Sequence, residues 1–312
     1  MKYYVGFDMG GTTIKYGVVD AAGKIVEKGA LPTEKKQVPL LAGMQKVVAQ
    51  YKNKFAVAGV GVSIPGIVRR DGYMITAGAI KCLNGYPLAD KLKEMTGLPV
   101  KVENDANAAA IAEHWLGNAQ GVENYLCVVL GTGVGGGIVI NGDVYRGAHG
   151  MAGEFGWNIT HDIDLTQKLE DASLNWHAAV VSGMVRRYNM SVHRVYPDEP
   201  TVTDARQILQ LAQDKDPIAE PIVDQFIEDV CIMLLNLFAN FDPELILIGG
   251  GISANTEFMT MLQAKFKEFL IRHESLHYIQ DKALGTVKTT GLHNDAGLIG
   301  AVYPLVRETL KA

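Results

Sequence analysis

The sequence predicts an α/β fold in two domains, each organised around a three-stranded antiparallel unit. Three observations predict it. The segments 4–30 and 126–148 follow one plan of strand, Gly/Thr turn, strand, turn, strand. That is an internal duplication of a supersecondary unit, not a short solenoid repeat. Ala56 to Ser63 is a continuous apolar run, as a strand buried on both faces requires. Stretches of helical spacing lie between and after these strands, beginning with Val38 to Tyr51.

Taken in order, Tyr3 to Asp8 reads as a strand, Met9 to Thr13 as a tight turn, Ile14 to Val19 and Ile25 to Ala30 as the returning strands. Turns this short make the three strands antiparallel neighbours. Leu41, Met44, Val47 and Val48 share one helical face, and Ile64-Pro65-Gly66 breaks the strand before it. A short helix at Leu88 to Met95 leads to a strand at Leu98 to Val102 and a helix at Ala108 to Trp115, stopped by Gly117. The second unit runs through Tyr125 to Leu130, a glycine turn at 131–135, Gly136 to Ile140, an Asn141-Gly142 hairpin and Asp143 to Tyr145. Past Gly150 the pattern is irregular until Asp171. Helices follow at 178–188, 203–214 and 217–241, the last with Ile222, Phe226, Val230, Met233, Leu237 and Phe241 as a core stripe. Glu244 to Ile248 reads as a strand, 256–273 as a helix, and Asn294 or Asp295 caps a final helix. The expected domains are 1–117 with the C-terminal helix 296–312, and 118–295.

The chain has 312 residues, 48% hydrophobic and 20% charged, with a formal net charge of -5. An acidic balance argues against nonspecific nucleic-acid or anionic-membrane binding. No stretch has membrane-spanning length, and the start lacks a signal-peptide pattern. Cys82, Cys127 and Cys231 give neither a disulfide framework nor metal-type spacing. The expectation is a cytoplasmic protein with reduced thiols.

Two places carry chemistry. Asn104 and Asp105 sit where a strand ends and a helix begins, the position at which an α/β sheet opens a cleft. A carboxylate there deprotonates a substrate hydroxyl, or it only caps the helix. The turns Gly10-Gly11-Thr12-Thr13 and Gly131-Thr132-Gly133 suit a phosphate: glycines admit an anion close to the backbone N–H groups and threonines add hydroxyls. The alternative is a plain hairpin with glycines at positive φ, but two such turns in a duplicated unit can clamp a polyphosphate. Lys15 adds charge or faces solvent. Asp8 is placed to hold Mg²⁺, through water since Mg²⁺ keeps much of its hydration shell. Gly249-Gly250-Gly251 passes under a nucleotide or forms a packing turn. No P-loop is present, and Gly131 to Gly136 opens a strand, unlike a dinucleotide fingerprint.

Together these residues resemble the ROK family of sugar kinases, within the superfamily of actin, hexokinase and Hsp70 ATPases. The resemblance spans essentially the whole chain. It rests on Asp8-Met9-Gly10-Gly11-Thr12, Ser63-Ile64-Pro65-Gly66, Glu103-Asn104-Asp105-Ala106-Asn107, 131–137, Gly150-Met151-Ala152-Gly153-Glu154-Phe155-Gly156 and Gly249-Gly250-Gly251. It implies a two-domain actin-like (ribonuclease H-like) ATPase fold with an interdomain cleft, and ATP-dependent phosphoryl transfer to a sugar hydroxyl. By resemblance Asp105 is the catalytic base, Asn104 binds sugar hydroxyls, Gly66 lies on a sugar-facing loop, Glu154 contacts the sugar, and the glycine turns bind ATP. A homodimer is the family's usual state. Repressors of this family carry a preceding helix-turn-helix, and this chain starts on the first kinase strand. An actin- or Hsp70-like ATPase would lack the Asn104-Asp105 and Gly153-Glu154 residues.

The chain departs from the family at one place. Where most members carry a histidine that binds sugar and a structural zinc, this chain has Trp157, and no cysteine lies between Cys127 and Cys231. With the family's N/S ligands missing, no zinc is expected. Glu170, in 167–173, resembles the family's second sugar-binding glutamate; otherwise it is an exposed acid. Trp157 offers a stacking face beside a sugar, or fills space left by the zinc module. The zinc-free pattern resembles the β-glucoside kinases, which implies transfer to the C6 hydroxyl of a glucosyl unit as in cellobiose. A free hexose, glucose or N-acetylmannosamine, is the alternative acceptor.

Overall fold

The computed structural model describes residues 2–311. Met1 and Ala312, the two ends of the first expected domain, lie outside the described residues. The chain divides into two units. The first comprises Met1–Gly121, Gly137–Ala152 and Asn294–Ala312, the second Val122–Gly136 and Gly153–His293.

The first unit holds a five-stranded sheet built from β1 (Tyr3–Met9), β2 (Thr13–Asp20), β3 (Ile25–Pro32), β4 (Val57–Ile64) and β5 (Val100–Asn104), in the order β3-β2-β1-β4-β5. β1 and β2 pair antiparallel, as do β2 and β3, while β1, β4 and β5 run parallel. Register sets Asp8 beside Ser63 and Ser63 beside Glu103. Three parallel strands therefore end side by side, where such sheets place ligands.

Both faces of this sheet are covered, so β1 is buried continuously from Tyr4 to Phe7. Phe7, Met9 and Val62 pack on one side with Leu40, Met44 and Val48 of α1 (Gln37–Lys52) and Leu88 and Leu92 of α2 (Leu88–Thr96). Tyr4 and Val19 pack on the other with Val302, Leu305 and Val306 of α10 (Ala296–Lys311). α10 lies against α3 (Asp105–Leu116) so closely that a Cβ at Gly300 would collide with the Ala108 carbonyl.

The second sheet has the order β10-β9-β6-β7-β8, from β6 (Tyr125–Leu130), β7 (Val134–Ile140), β8 (Asp143–Val144), β9 (Leu245–Gly249) and β10 (Thr286–Thr289). β6, β9 and β10 are parallel. The turn between β7 and β8 has φ 53° at Asn141 and 74° at Gly142, the two positive values a primed hairpin turn needs. In the second unit α7 (Ala219–Phe241) buries Val223, Phe226, Val230, Met233, Leu234 and Leu237.

Several boundaries differ from expectation for identifiable reasons. Phe241 is 39% exposed and Ile222 half-buried, so the stripe on α7 shifts onto Val223, Ile227 and Leu234. The single helix expected over 178–188 is a π-helical turn, Val180–Val185, continued by α5 (Arg186–Val195). The helix α9 (Glu274–Ala283) buries only Leu276, and β10 alternates between exposed and half-buried residues. Neither leaves a strong apolar period to read.

Gly300→Val should drive a side chain into the α3 backbone. The expected loss is about 1–3 kcal/mol of stability, read as a lower midpoint in denaturant unfolding.

Candidate active site

The junction from β5 into α3 is held by its first two residues. Asn104 is the N-cap, with φ -61° and ψ 146°, and its Oδ1 accepts from the backbone N–H groups of Ala106 and Asn107 at 2.9 and 3.1 Å. Its Nδ2 donates to the Gly66 carbonyl at 3.0 Å. Gly66 has φ +104°, and a Cβ there would run into the Thr76 carbonyl, so only glycine fits that loop. The capping reading thus belongs to Asn104. Asp105 is the first helical residue, with Oδ1 2.9 Å from the Ala106 N–H.

Asp105 is exposed as a residue, yet protein crowds its carboxyl from several sides. The two facts bear on different properties: exposure makes it reachable, and crowding sets its proton affinity. Desolvation raises its pKa first and the nearby Asp8 carboxylate adds to this, against hydrogen bonds that lower it. A carboxylate raised in this way is a better proton acceptor near neutral pH than an ordinary one.

Beneath this pair lies Glu103, whose side chain is 8% exposed. Its Oε1 accepts from the Asn104 backbone N–H and from Asn107 Nδ2, both at 3.1 Å. Its Oε2 accepts from Arg146 Nε at 2.9 Å and from a second guanidinium nitrogen of Arg146. Arg146 also donates to the Val144 carbonyl. Sequence reasoning missed Arg146, which lies 43 residues from Glu103 and belongs to no motif. It neutralises the buried carboxylate that orients the cap.

Asp8, the next-to-last residue of β1, has its side chain 24% exposed. Its Oδ1 accepts from Ser63 Oγ at 3.1 Å, and Lys15 Nζ stands 3.8 Å from Oδ2. Burial raises its pKa, while Lys15 and the Ser63 hydroxyl oppose the rise. A Cβ at Gly297 would come within 2.5 Å of this carboxylate, so α10 leaves it uncovered only by carrying glycine there.

The glycine turns share one construction. In the first, the Gly10 carbonyl accepts from Thr33 Oγ1, the Gly11 carbonyl from Lys35 Nζ and the Thr12 carbonyl from the Thr33 N–H. In the second, the Gly131 carbonyl accepts from the N–H groups of Val180 and Val181, and the Thr132 carbonyl from the N–H and hydroxyl of Ser182. A trans peptide points its N–H opposite its C=O. Pinning these carbonyls therefore turns the amides of Gly11, Thr12, Thr132 and Gly133 away from their own protein partners. Gly10, Gly11, Gly131 and Gly133 are not among the positive-φ residues. The reading that needed positive φ fails, and a Cβ at Gly10, Gly11 or Gly133 would instead press within 2.9 Å of the Thr13 carbonyl, Ala79 or Asn175.

Gly249 pairs with Val129, which brings the 249–251 turn beside the 131–133 turn at the ends of β9 and β6. Gly250 has φ +90°, and a Cβ there would overlap the Leu130 carbonyl. A Cβ at Gly131 or Gly251 would meet nothing within 4 Å. Open space thus stands over both turns.

Glu154, Phe155, Gly156 and Trp157 form a short turn anchored inward by Phe155, which is 4% exposed and packs edge-on to Phe241 at 6.2 Å. Trp157 is 49% exposed, which removes the space-filling reading. Glu154 is half-buried beside it, and Glu170 is exposed on a 3₁₀ turn at Leu169–Ala172.

Similarity to known proteins identifies the class. The ROK family matches residues 4–308, so the chain belongs to the ROK family. Among similar proteins, a glucokinase of Halalkalibacterium halodurans is 35% identical over 96% of this chain and 93% of its own. A β-glucoside kinase of Listeria innocua is 34% identical over 97% of each. Among solved structures, a ROK family glucokinase from Streptomyces griseus in complex with glucose and AMPPNP is 28% identical, with a TM-score of 0.79 over 98% of this chain and 99% of that one. The chain has the actin-like fold of these enzymes and is a ROK sugar kinase.

Arg146→Ala should leave Glu103 buried without its cation. The expected cost is about 3 kcal/mol, seen as a lower unfolding midpoint, with kcat falling more than KM changes because the cap beside Asp105 loosens. Asp105→Asn should separate chemistry from folding. Turnover should fall about 10²–10⁴-fold with nucleotide binding retained. Its raised pKa means that the folded state loses stability as pH rises from the unfolded value of 3.8 through the folded one. Asn removes that cost, so a thermal melt near neutral pH should give a higher midpoint than wild type. In the parent enzyme the acid limb of kcat/KM should lie above 3.8.

Proposed function

We propose that this protein transfers the γ-phosphate of ATP to the C6 hydroxyl of a glucosyl unit, with β-glucosides such as cellobiose as its preferred acceptors. The observation that carries the reaction is the β5–α3 junction: Asn104 does the capping, which leaves Asp105 reachable with a raised proton affinity. In the first unit, Gly66, Asn104 and Asp105 are the acceptor-binding residues. In the second, Glu154, Trp157 and Glu170 are the sugar contacts.

The acceptor hydroxyl oxygen attacks the γ-phosphorus as the bond from that phosphorus to the β–γ bridging oxygen breaks, and ADP leaves. The hydroxyl proton passes to an Asp105 carboxylate oxygen. The outward amides of Gly11, Thr12, Thr132 and Gly133 suit phosphate oxygens, Gly10 with Thr13 and Gly131 with Gly133 close the turns that present them, Lys15 adds charge beside Asp8, and Gly249, Gly250 and Gly251 admit a nucleotide close to the backbone. Asp8, with one oxygen on Ser63 and room kept by Gly297, fits the outer sphere of a hydrated Mg²⁺. Bound there, Mg²⁺ would neutralise charge on the phosphates. Positioning and charge neutralisation supply most of the acceleration.

Trp157 supports the glycoside acceptor. A half-exposed indole gives a flat apolar surface for a sugar ring and lacks the second ring nitrogen of the family's histidine. The β-glucoside kinase relative agrees with this choice, and the glucokinase relative favours the competing reading, a free hexose. No helix among the described residues is long and apolar enough to cross a membrane. We place the enzyme in the cytoplasm, where ATP is supplied, as a homodimer by likeness to the family.

The test is ATP turnover with Mg²⁺ against no sugar, glucose, N-acetylmannosamine, fructose, cellobiose and a simple β-glucoside. Cellobiose or the β-glucoside should be used far better than glucose, and Trp157→Ala should raise KM for it about five-fold, ~1 kcal/mol, with kcat little changed. A free sugar as best acceptor would overturn the glycoside reading. Turnover indifferent to every sugar would overturn the kinase reading.

A further inference from the structure

We propose that His161, His177 and Asp229 form a binding site for one divalent transition-metal ion of the zinc type. Each offers one ligand atom, and the three atoms lie within 4.8 Å of one another. They come from separate places: the 158–172 loop, the end of α4 (Leu174–His177) and the middle of α7. None is the position of the family's zinc histidine, which is Trp157 here, and none is a cysteine.

In the stacked arrangement the second nitrogen of each ring has a polar neighbour. His177 Nε2 lies 2.9 Å from the Asp171 carbonyl. A carbonyl only accepts, so Nε2 carries the hydrogen and Nδ1 keeps the lone pair. His161 Nδ1 lies 3.1 Å from Thr160 Oγ1, and its Nε2 stands 3.2 Å from Asp229 Oδ1. With the Thr160 hydroxyl donating to Nδ1, Nε2–H donates to the Asp229 carboxylate, and a metal ion would take the place of that proton.

Asp229 is fully buried, which is costly for a carboxylate without strong compensation. Gln225 Nε2 donates to its Oδ1 at 3.1 Å. Its Oδ2 makes no hydrogen bond and has only Arg187 at 3.3 Å. Arg187 also donates to the His177 carbonyl, so it braces the carboxylate from behind. A cavity of about 340 Å³ opens onto both imidazoles and is lined by Asp162, Asp164 and Asp171 besides Lys168, which gives a cation an acidic approach.

Two imidazoles and a carboxylate match Zn²⁺, Co²⁺ or Ni²⁺ better than Mg²⁺, and three protein ligands leave a position for water. The rings now stack at 3.5 Å with 11° between planes. Ligation requires one of them to turn out of the stack so that both lone pairs converge. The ion would tie the loop after Trp157 to α7. The expectation of no zinc rested on Trp157 in place of the family's histidine, on absent cysteines and on His161 standing alone, and the fold gives His161 two partners distant in sequence.

The test uses the full chain, stripped with chelator and titrated with Co²⁺ and then Zn²⁺. Wild type should take up one equivalent of Co²⁺ with intense visible d–d absorption, lose it to Zn²⁺, and melt at a higher temperature with Zn²⁺ than with chelator. His161→Gln should bind at least about 100-fold more weakly. His177→Gln answers the same question should the first variant fail to fold, as checked by circular dichroism of the metal-free protein. Absence of uptake by wild type overturns the proposal. So does equal uptake by a folded variant, which would put the ion elsewhere. Binding is read without turnover, so the result is independent of the sugar-kinase reading.

Discussion

The hydrogen-bonded Glu103 carboxylate is the interaction on which the β5–α3 junction of the first unit depends. It is a buried charge, and such a charge persists only when its oxygens are filled. Arg146 fills one and the Asn104 and Asn107 N–H groups fill the other. The consequence is geometric. With its backbone N–H fixed, Asn104 turns its side chain to the helix start and to Gly66. Asp105 then follows the cap at the end of a parallel strand, its Oδ1 sharing the Ala106 N–H with Asn104.

The carboxyl ends of β1, β4 and β5 collect unlike chemistries from one register. Asp8, Ser63 and Glu103 are neighbours because parallel strands align residues of equal height. The Asp8 carboxylate raises the cost of ionising Asp105, and Lys15 and Ser63 partly relieve Asp8. The arrangement holds negative charge where a cationic partner would be welcome. α10 permits it by crossing with glycines at 297 and 300, where any larger residue would meet Asp8 or the α3 backbone.

The two glycine turns reach the same end by different means. Around Gly10 the carbonyls are held by Thr33 and Lys35, just beyond β3. Around Gly131 they are held by the start of the Val180–Val185 turn. In both, the protein consumes the carbonyls, and the first glycine N–H closes the turn by donating to the Thr13 or Gly133 carbonyl. The duplication kept the strand plan of the unit, while the clasp that orients each turn comes from an unrelated stretch of chain.

Much of this was legible in the sequence because local chemistry dictates it. Apolar runs marked β1, β4 and β6, Asn141-Gly142 marked a hairpin, and the Gly/Thr turns, Asn104, Asp105 and Glu154 stood in recognisable order. Residues whose partners are distant in sequence were not legible. Arg146 has no motif and matters only because Glu103 is buried beside it. Trp157 could be read as core or surface until its exposure was known. His161, His177 and Asp229 are far apart in the chain and meet only when the loop and α4 fold onto α7. Sequence determines which groups a strand end or a turn can offer, since backbone geometry and neighbouring side chains act over a few residues. Which charge is buried, which carbonyl is occupied and which imidazoles stack are decided by packing between distant segments, and that belongs to the tertiary structure alone.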